Sequence, residues 1–368
     1  MASTKHSNGY VVLAINPGSV STKVALYREE TLLRSATLSH KRVVFPRGGS
    51  MLAEELFRYD EIRRVLAEWG VPPLEPHAIA CRGGVLKPCR GGTYRVNSQM
   101  LDDLRSCKYG VHASNLAAPI GSRLGKALGS PVYITDPVVV DELIPAARIT
   151  GLRGIERKST FHALSQRAAA RIIAKKLGKR YSDCNFVIAH LGSGVSVGAH
   201  QKGRVIDVNN ALDGDGPFGP ERSGGLPTAQ LINLCFDGSH DRESLLCTVR
   251  SKGGMFSLLG TKDGFKIQKM LQRGSPEAQV VMQAFVRQVA REIAGCAAVM
   301  SGNVDATVIT GGMAKMSTIV RQIRSRVRFI APVYVISRNL EMLALVQGGL
   351  RILKGDARPR VYPNPNRH

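Results

Sequence analysis

Carboxylates are scarce in this chain: 28 Asp and Glu stand against 51 Lys and Arg, a formal net charge of +23. Aromatic residues make up only 5%, with a single Trp. The seven cysteines are odd in number and include no C-x-x-C pair, which argues against a disulfide framework and against a thiolate zinc site. No run approaches the ~18 apolar residues that a membrane-spanning helix needs. The opening MASTKHSNGYVVLAIN has a short apolar run that leads into turn residues, so no secretory leader is expected. These absences point to a cytoplasmic protein without membrane association. The acidic deficit prompts a nucleic-acid reading. Yet Lys and Arg are spread along the chain, and no zinc-finger, RRM or KH signature interleaves them with aromatics. The preferred reading is a basic surface with sites for anionic small molecules, which the field of the protein would help to capture.

What is present suits two domains. The chain has 368 residues, 43% of them apolar, more than one ordinary core needs. The stretch INPGSVSTKVALY, residues 15–27, has the glycine, hydroxyls and lysine of a phosphate loop but lacks the second glycine of G-x-x-x-x-G-K-[ST]. It lies in a predicted strand–turn–strand–turn–strand meander: Tyr10–Ile15, Lys23–Tyr27 and Thr31–Leu38 are extended runs. A second meander is expected at Phe186–His190, Val195–His200 and Arg204–Val208. Aligning Gly18-Ser19 with Gly192-Ser193 gives an offset of about 174 residues (192 − 18), close to half the chain, which suggests two related domains. Helical spacing predicts helices over Met51–Trp69, stopped by Gly70 and Pro72-Pro73, and over Ser159–Leu177. Ser275-Pro276 is an N-cap and first-turn pair that opens a helix to about Met300. Asn339–Leu353 reads as helical despite Gly348-Gly349, a pair that costs roughly 1 kcal/mol per glycine relative to Ala and so implies close backbone packing. The Pro-rich end, Arg358–His368, is expected to be irregular.

Four segments in this order carry a resemblance: INPGSVSTK; CRGGVLKP with GGTYRVN; HLGSGVSVGAHQKGRVIDVNNALDGDGPFGPERSGGLP; and VDATVITGGMA. They resemble the acetate, propionate and butyrate kinase family of the actin/sugar-kinase/Hsp70 superfamily, and the GDGPFGPERSGG wording is nearer its butyrate kinases. The resemblance implies an α/β fold of two ribonuclease-H-like (actin-like ATPase) domains with a nucleotide cleft between them. It places the first domain at residues 1–150 plus 339–368, completed by the C-terminal helix, and the second at 151–338. It further implies ATP/ADP and Mg²⁺, a short-chain carboxylic acid and its acyl phosphate as substrates, and a homodimer. Acetate, propionate or branched-chain acids are the alternative acceptors. A basic nucleotide-binding protein that has lost catalysis is the alternative of another class.

The chemistry of such a reaction can be set beside the residues. A carboxylate acceptor is already ionised at neutral pH, so no general base is needed. The obstacle is an anion approaching a polyanion, which calls for cations and donors aimed at the phosphoryl group in flight. By resemblance, Arg222 in GPERSGG meets transition-state charge, and Arg82 in CRGG grips the substrate carboxylate or phosphoryl group. His190, before the Leu-Gly-Ser-Gly turn, donates to the transferring phosphate, and His112 in YGVHASN lies on the substrate side. Asp136 in YITDP is expected to act in catalysis and toward the metal, with a turn or helix cap as the plainer reading. Asn16 and Glu341 are its implied partners toward Mg²⁺, mostly through water. Gly192, Ser193 and Gly194 present backbone N–H groups to phosphates. Gly311, Gly312 and Met313 allow approach of the adenosine, and Asp263 in GTKDG matches a loop near the ribose or base. Lys262 stands where an uncharged polar residue is expected. Lys23, on the second strand of the first meander, is read as solvated.

Overall fold

Val11–Pro17, VVLAINP, is apolar almost throughout and buried along its whole length, the pattern of an interior strand covered on both faces. In the computed structural model, which describes residues 9–40, 51–71 and 75–363, this strand is β1 and centres the first sheet. β2 (Ser21–Arg28) and β3 (Thr31–Ser39) continue from it as an antiparallel meander. On the other side of β1 come β4 (Ala78–Arg82) and β6 (Val132–Thr135), both parallel, with β5 (Thr93–Arg95) antiparallel at the edge. The sheet order is β3-β2-β1-β4-β6-β5.

The second sheet repeats that plan. β7 (Asn185–Leu191), β8 (Val195–Gln201) and β9 (Arg204–Val208) form an antiparallel meander, and β10 (Ala306–Thr310) and β11 (Val333–Ile336) add in parallel, in the order β11-β10-β7-β8-β9. The offset of about 174 residues aligns Val11 with Asn185, and it aligns Ser21 with Val195, so the strand starts keep the spacing seen at Gly18 and Gly192. The chain divides into two compact units, one ending at Val140 and resuming at Leu340, the other Asp141–Asn339.

Each unit has its own core. In the first, the C-terminal helix Glu341–Leu353 packs on β1, β4 and β6. Contact explains the first glycine of the pair in that helix: a side chain at Gly348 would collide with Thr135, and Thr93 Oγ1 donates to the Gly348 carbonyl at 3.3 Å, whereas a Cβ at Gly349 would meet only ordinary neighbours. In the second, Pro276–Val299 is the long helix, and the Ser275 Oγ accepts from Ala278 N–H at 3.3 Å.

Three expectations are corrected. The helix expected from Ser159 begins at Ala163, because the Thr160 carbonyl is taken by Ala211 N–H at 2.9 Å and holds the preceding residues out of the helix. The last helix starts at Glu341, two residues later than its pattern suggests. The chain end is more ordered than its prolines imply. Arg360 bridges alongside Tyr94, and Tyr362, 2% exposed, donates from its hydroxyl to Asp103 Oδ2 at 2.7 Å. Pro72-Pro73, the first eight residues and the last five lie outside the described residues. Among the described residues no helix is long and apolar enough to cross a membrane.

Candidate active site

In each unit the chemically distinctive side chains gather where the central parallel strands end, the usual ligand side of an open α/β sheet. In the first unit Asn16 lies near the end of β1, Arg82 closes β4, and Glu341 opens the C-terminal helix. The structure brings these three together. Asn16 Nδ2 donates to Glu341 Oε2 at 3.0 Å, while Arg82 Nη1 lies 3.2 Å from Asn16 Oδ1 and 3.3 Å from Glu341 Oε1. Arg82 is thus fixed between an amide oxygen and a carboxylate while a quarter of its side chain stays exposed. The glycines of CRGG are demanded by close approach: a side chain at Gly83 would strike Pro137, and one at Gly84 would meet Asn115 and Leu104.

Asp136 follows the next strand over, directly after Thr135, the residue in register with Arg82. It is 1% exposed, has a φ of 41°, and its Oδ1 accepts Gly92 N–H at 2.7 Å. That turn-holding bond is the plainer reading of an Asp-Pro pair. His112 caps the short turn Ala113–Leu116, its Nδ1 accepting Ser114 N–H at 3.1 Å. The same turn supplies Asn115, whose Oδ1 accepts Val85 N–H at 2.8 Å just past CRGG. Lys23 is exposed on β2, in register opposite Asn16.

In the second unit His190, near the end of β7, precedes a turn closed by Gly192 N–H to Gly194 O at 3.0 Å. Arg222 lies over this turn: a side chain at Gly194 would run into its guanidinium. The Arg222 loop is tied there by Glu221 N–H to Ser193 O at 3.2 Å. Burial disfavours the Arg222 charge and pulls its pKa below the ordinary arginine value, against the opposing pull of Glu221 and Asp213. Its Nε is buried without a partner, and among the described residues no hydrogen bond or salt bridge reaches its terminal nitrogens. An arginine in this state is a donor fork matched to an oxyanion.

The remaining positions are less uniform. Gly311, with a φ of 98°, leaves no room for a side chain beside the Leu191 backbone, whereas Gly312 faces open space. Met313 is buried in the hydrophobic core of its unit. Asp263 caps the helix Gly264–Gln272, accepting Phe265 N–H at 2.8 Å. Its neighbour Lys262 pairs with Glu221 Oε1 at 2.9 Å, so the unexpected lysine stands beside the Arg222 loop.

His162 is the residue that sequence reasoning missed. Its ring stacks on His190 with centroids 4.1 Å apart and planes 19° from parallel. Inside a run that reads as continuous helix, one histidine gave no sign that it would end a loop and face a strand.

A family model for the acetokinase family matches residues 148–335, just over half of the chain. The chain belongs to the acetokinase family. Solved structures similar to it include a propionate kinase from Francisella tularensis subsp. tularensis SCHU S4, 19% identical over 92% of this chain and 98% of that one, with a TM-score of 0.74. An acetate kinase from Porphyromonas gingivalis is 17% identical over 94% and 100%, with a TM-score of 0.75. An acetate kinase from Entamoeba histolytica is 16% identical over 92% and 98%, with a TM-score of 0.71. At such identities the likeness establishes the fold, two ribonuclease-H-like domains of the actin-like ATPase type. Family membership makes the chain a phosphotransferase with a carboxyl group as acceptor and ATP as donor.

Among the described residues there is no cluster of three or more His, Cys, Asp or Glu placed to hold a metal. Mg²⁺ does not require one, since it keeps several waters and is commonly bound through one or two carboxylates plus substrate phosphates. The Glu341 carboxylate and Asn16 Oδ1 are hard oxygen donors of the required kind, both at present in contact with Arg82.

Proposed function

We propose that this acetokinase is a short-chain fatty acid kinase of the butyrate type. It moves the γ-phosphoryl group of ATP reversibly and in line to a carboxylate, giving an acyl phosphate and ADP. The observation that carries this reading is Arg222, a half-buried guanidinium without a partner among the described residues, lying over a glycine turn. An ionised acceptor needs charge neutralisation and alignment, not a base, and that is what an arginine in this state supplies. In this reading Arg222 meets the charge that develops on the phosphoryl oxygens. Arg82, held by Asn16 and Glu341, orients the acceptor carboxylate.

His190 donates to the phosphoryl group from the end of β7, and His112 borders the acyl side. The N–H groups of Gly192, Ser193 and Gly194 cradle the β- and γ-phosphates. The open face of Gly312, beside Gly311 and Met313, admits the adenosine, with Asp263 toward its ribose or base. Mg²⁺, held through Glu341, Asn16 and Asp136, would neutralise phosphate charge.

Two features support a cytoplasmic homodimer. All seven cysteines are free thiols. The helix Thr228–Phe236 buries none of its residues and exposes Ile232 and Phe236, an apolar face that a second copy would cover.

The deciding experiment incubates purified protein with ATP, Mg²⁺ and one acid at a time, trapping acyl phosphate as the hydroxamate. Butyrate is expected to give the highest kcat/KM. A preference for acetate, propionate or isobutyrate would reassign the acceptor, and no hydroxamate with any of them would overturn the kinase reading. A salt-sensitive gel shift with RNA or DNA, in protein inert toward all four acids, would favour the nucleic-acid alternative.

A further inference from the structure

Behind the His162–His190 stack runs a chain of polar groups sealed inside the second unit. Ser196, Gln166 and His200 are each 0% exposed. Gln166 Nε2 lies 3.0 Å from the Ser196 carbonyl oxygen and 2.8 Å from Ser196 Oγ. Gln166 Oε1 lies 2.8 Å from His200 Nε2, and His200 Nδ1 lies 2.7 Å from the Tyr181 hydroxyl. Ser196 Oγ is 2.9 Å from His162 Nδ1 and accepts the His162 backbone N–H at 3.4 Å.

The proton positions follow from which atoms can only accept. A carbonyl oxygen cannot donate, so the Gln166 amide must present its NH₂ to Ser196 and its oxygen to His200. His200 therefore carries a proton on Nε2, and its Nδ1 accepts from Tyr181. Ser196 Oγ has two lone pairs, one facing Gln166 Nε2 and the other the His162 backbone N–H. Its single proton is left for His162 Nδ1. A ring nitrogen that accepts there places the proton of the neutral imidazole on Nε2.

We propose that Gln166, acting through Ser196 and anchored by His200 and Tyr181, is a positioning residue that fixes His162 as the Nε2–H tautomer against His190. Gln166 touches no substrate; its effect is to make His162 a hydrogen-bond donor of set direction, as outer-shell partners do for ring nitrogens elsewhere. The role in turnover rests on the kinase reading given above. The tautomer itself does not depend on it.

The test is Gln166→Glu, which keeps size but replaces the donor with an acceptor. The Ser196 hydroxyl proton then turns to the new carboxylate, and Ser196 Oγ must accept from His162 Nδ1–H. Nitrogen-15 NMR of the histidine rings should report His162 as Nε2–H in the native protein and protonated at Nδ1 in the variant. In the hydroxamate assay kcat should fall about 100-fold, with KM for ATP and for the acid changed less than about threefold.

Ser196→Ala, which deletes the hydroxyl and adds no charge, is the second variant. It should give a mixture of tautomers and a smaller loss of kcat. A His162 that stays Nε2–H in both folded variants overturns the proposal, as does a tautomer change that leaves kcat intact. If the native protein makes no hydroxamate, the kinase reading fails separately, and the NMR arm still decides the tautomer.

Discussion

Arg58 and Arg222 each lie against the turn that follows the first strand of their unit, and they use the same chemical group in opposite ways. Arg58 comes from the helix Met51–Glu68 and is 1% exposed. Its Nη1 donates to Gly18 O at 2.8 Å and Thr22 Oγ1 at 3.1 Å, and its Nη2 to Ser19 O at 3.4 Å and Glu54 Oε1 at 2.5 Å. The turn between β1 and β2 is therefore wrapped around an arginine whose charge is already answered. Arg222 instead lies over the turn between β7 and β8, with no acceptor at its terminal nitrogens among the described residues. The Nε of each is buried without a partner, so the difference resides in the terminal nitrogens. Two copies of one meander have thus been put to different use. One turn is braced from beneath, and the other keeps a cation uncommitted above it.

The sharpest way to break this comparison is to remove the uncommitted charge. Arg222→Ala should lower kcat in the hydroxamate assay by about 10³-fold, the scale seen when a transition-state donor is lost. The unfolding midpoint should barely move, since no hydrogen bond of the fold is given up. Gly194→Ala should also lose activity, since its methyl group would displace the guanidinium and press on the Ala211 carbonyl. Turnover that survives Arg222→Ala would remove Arg222 from the reaction.

Removing the committed charge should do the reverse. Arg58→Met takes away the cation that answers Glu54 and leaves the carbonyls of Gly18 and Ser19 without that donor. Breaking a fully buried pair costs about 3–5 kcal/mol; with Glu54 a quarter exposed, denaturant unfolding should register a loss at or below the lower end of that range. Turnover per folded molecule should fall far less than in Arg222→Ala. A variant as stable as the native protein would mean that the turn holds its own shape, and the contrast would collapse.

The parts of this arrangement that could be read in advance are those written in local pattern or repetition. Gly18 and Gly192 marked equivalent turns because a strand–turn–strand order recurs around each at one offset. Gly348-Gly349 announced close packing because a helix gives up stability for such a pair, and the announcement holds at Gly348, where Thr135 presses on the backbone, but not at Gly349. Ser275-Pro276 marked a helix start through capping chemistry alone. Arg58 could not be read this way, because the carbonyls it holds lie some 40 positions upstream and the local pattern offers only its i,i+4 pairing with Glu54. His162 was hidden because a tertiary bond to Thr160 set the helix start, and no propensity encodes that bond. Tyr362 was hidden by its own prolines, although a buried tyrosine whose hydroxyl finds Asp103 holds the chain end in the first unit.

The smallest expected effect concerns how Arg222 stays uncommitted with a carboxylate as its immediate neighbour. Glu221 favours the charged form of Arg222, and an acidic side chain so close would compete with an incoming anion. Lys262 draws that carboxylate away, with Nζ 2.9 Å from Glu221 Oε1. The lysine side chain is about half exposed, at 55%, so the pair contributes little to stability. Lys262→Met should accordingly leave the unfolding midpoint within about 0.5 kcal/mol of the native value. It should free Glu221 to turn toward Arg222 and raise KM for ATP a few-fold, with kcat nearly unchanged. The double variant Lys262→Met with Glu221→Gln removes the competitor and should restore the native KM. If KM rises equally with or without Glu221, the lysine contacts the nucleotide directly, and Arg222 needs no protection from its neighbour.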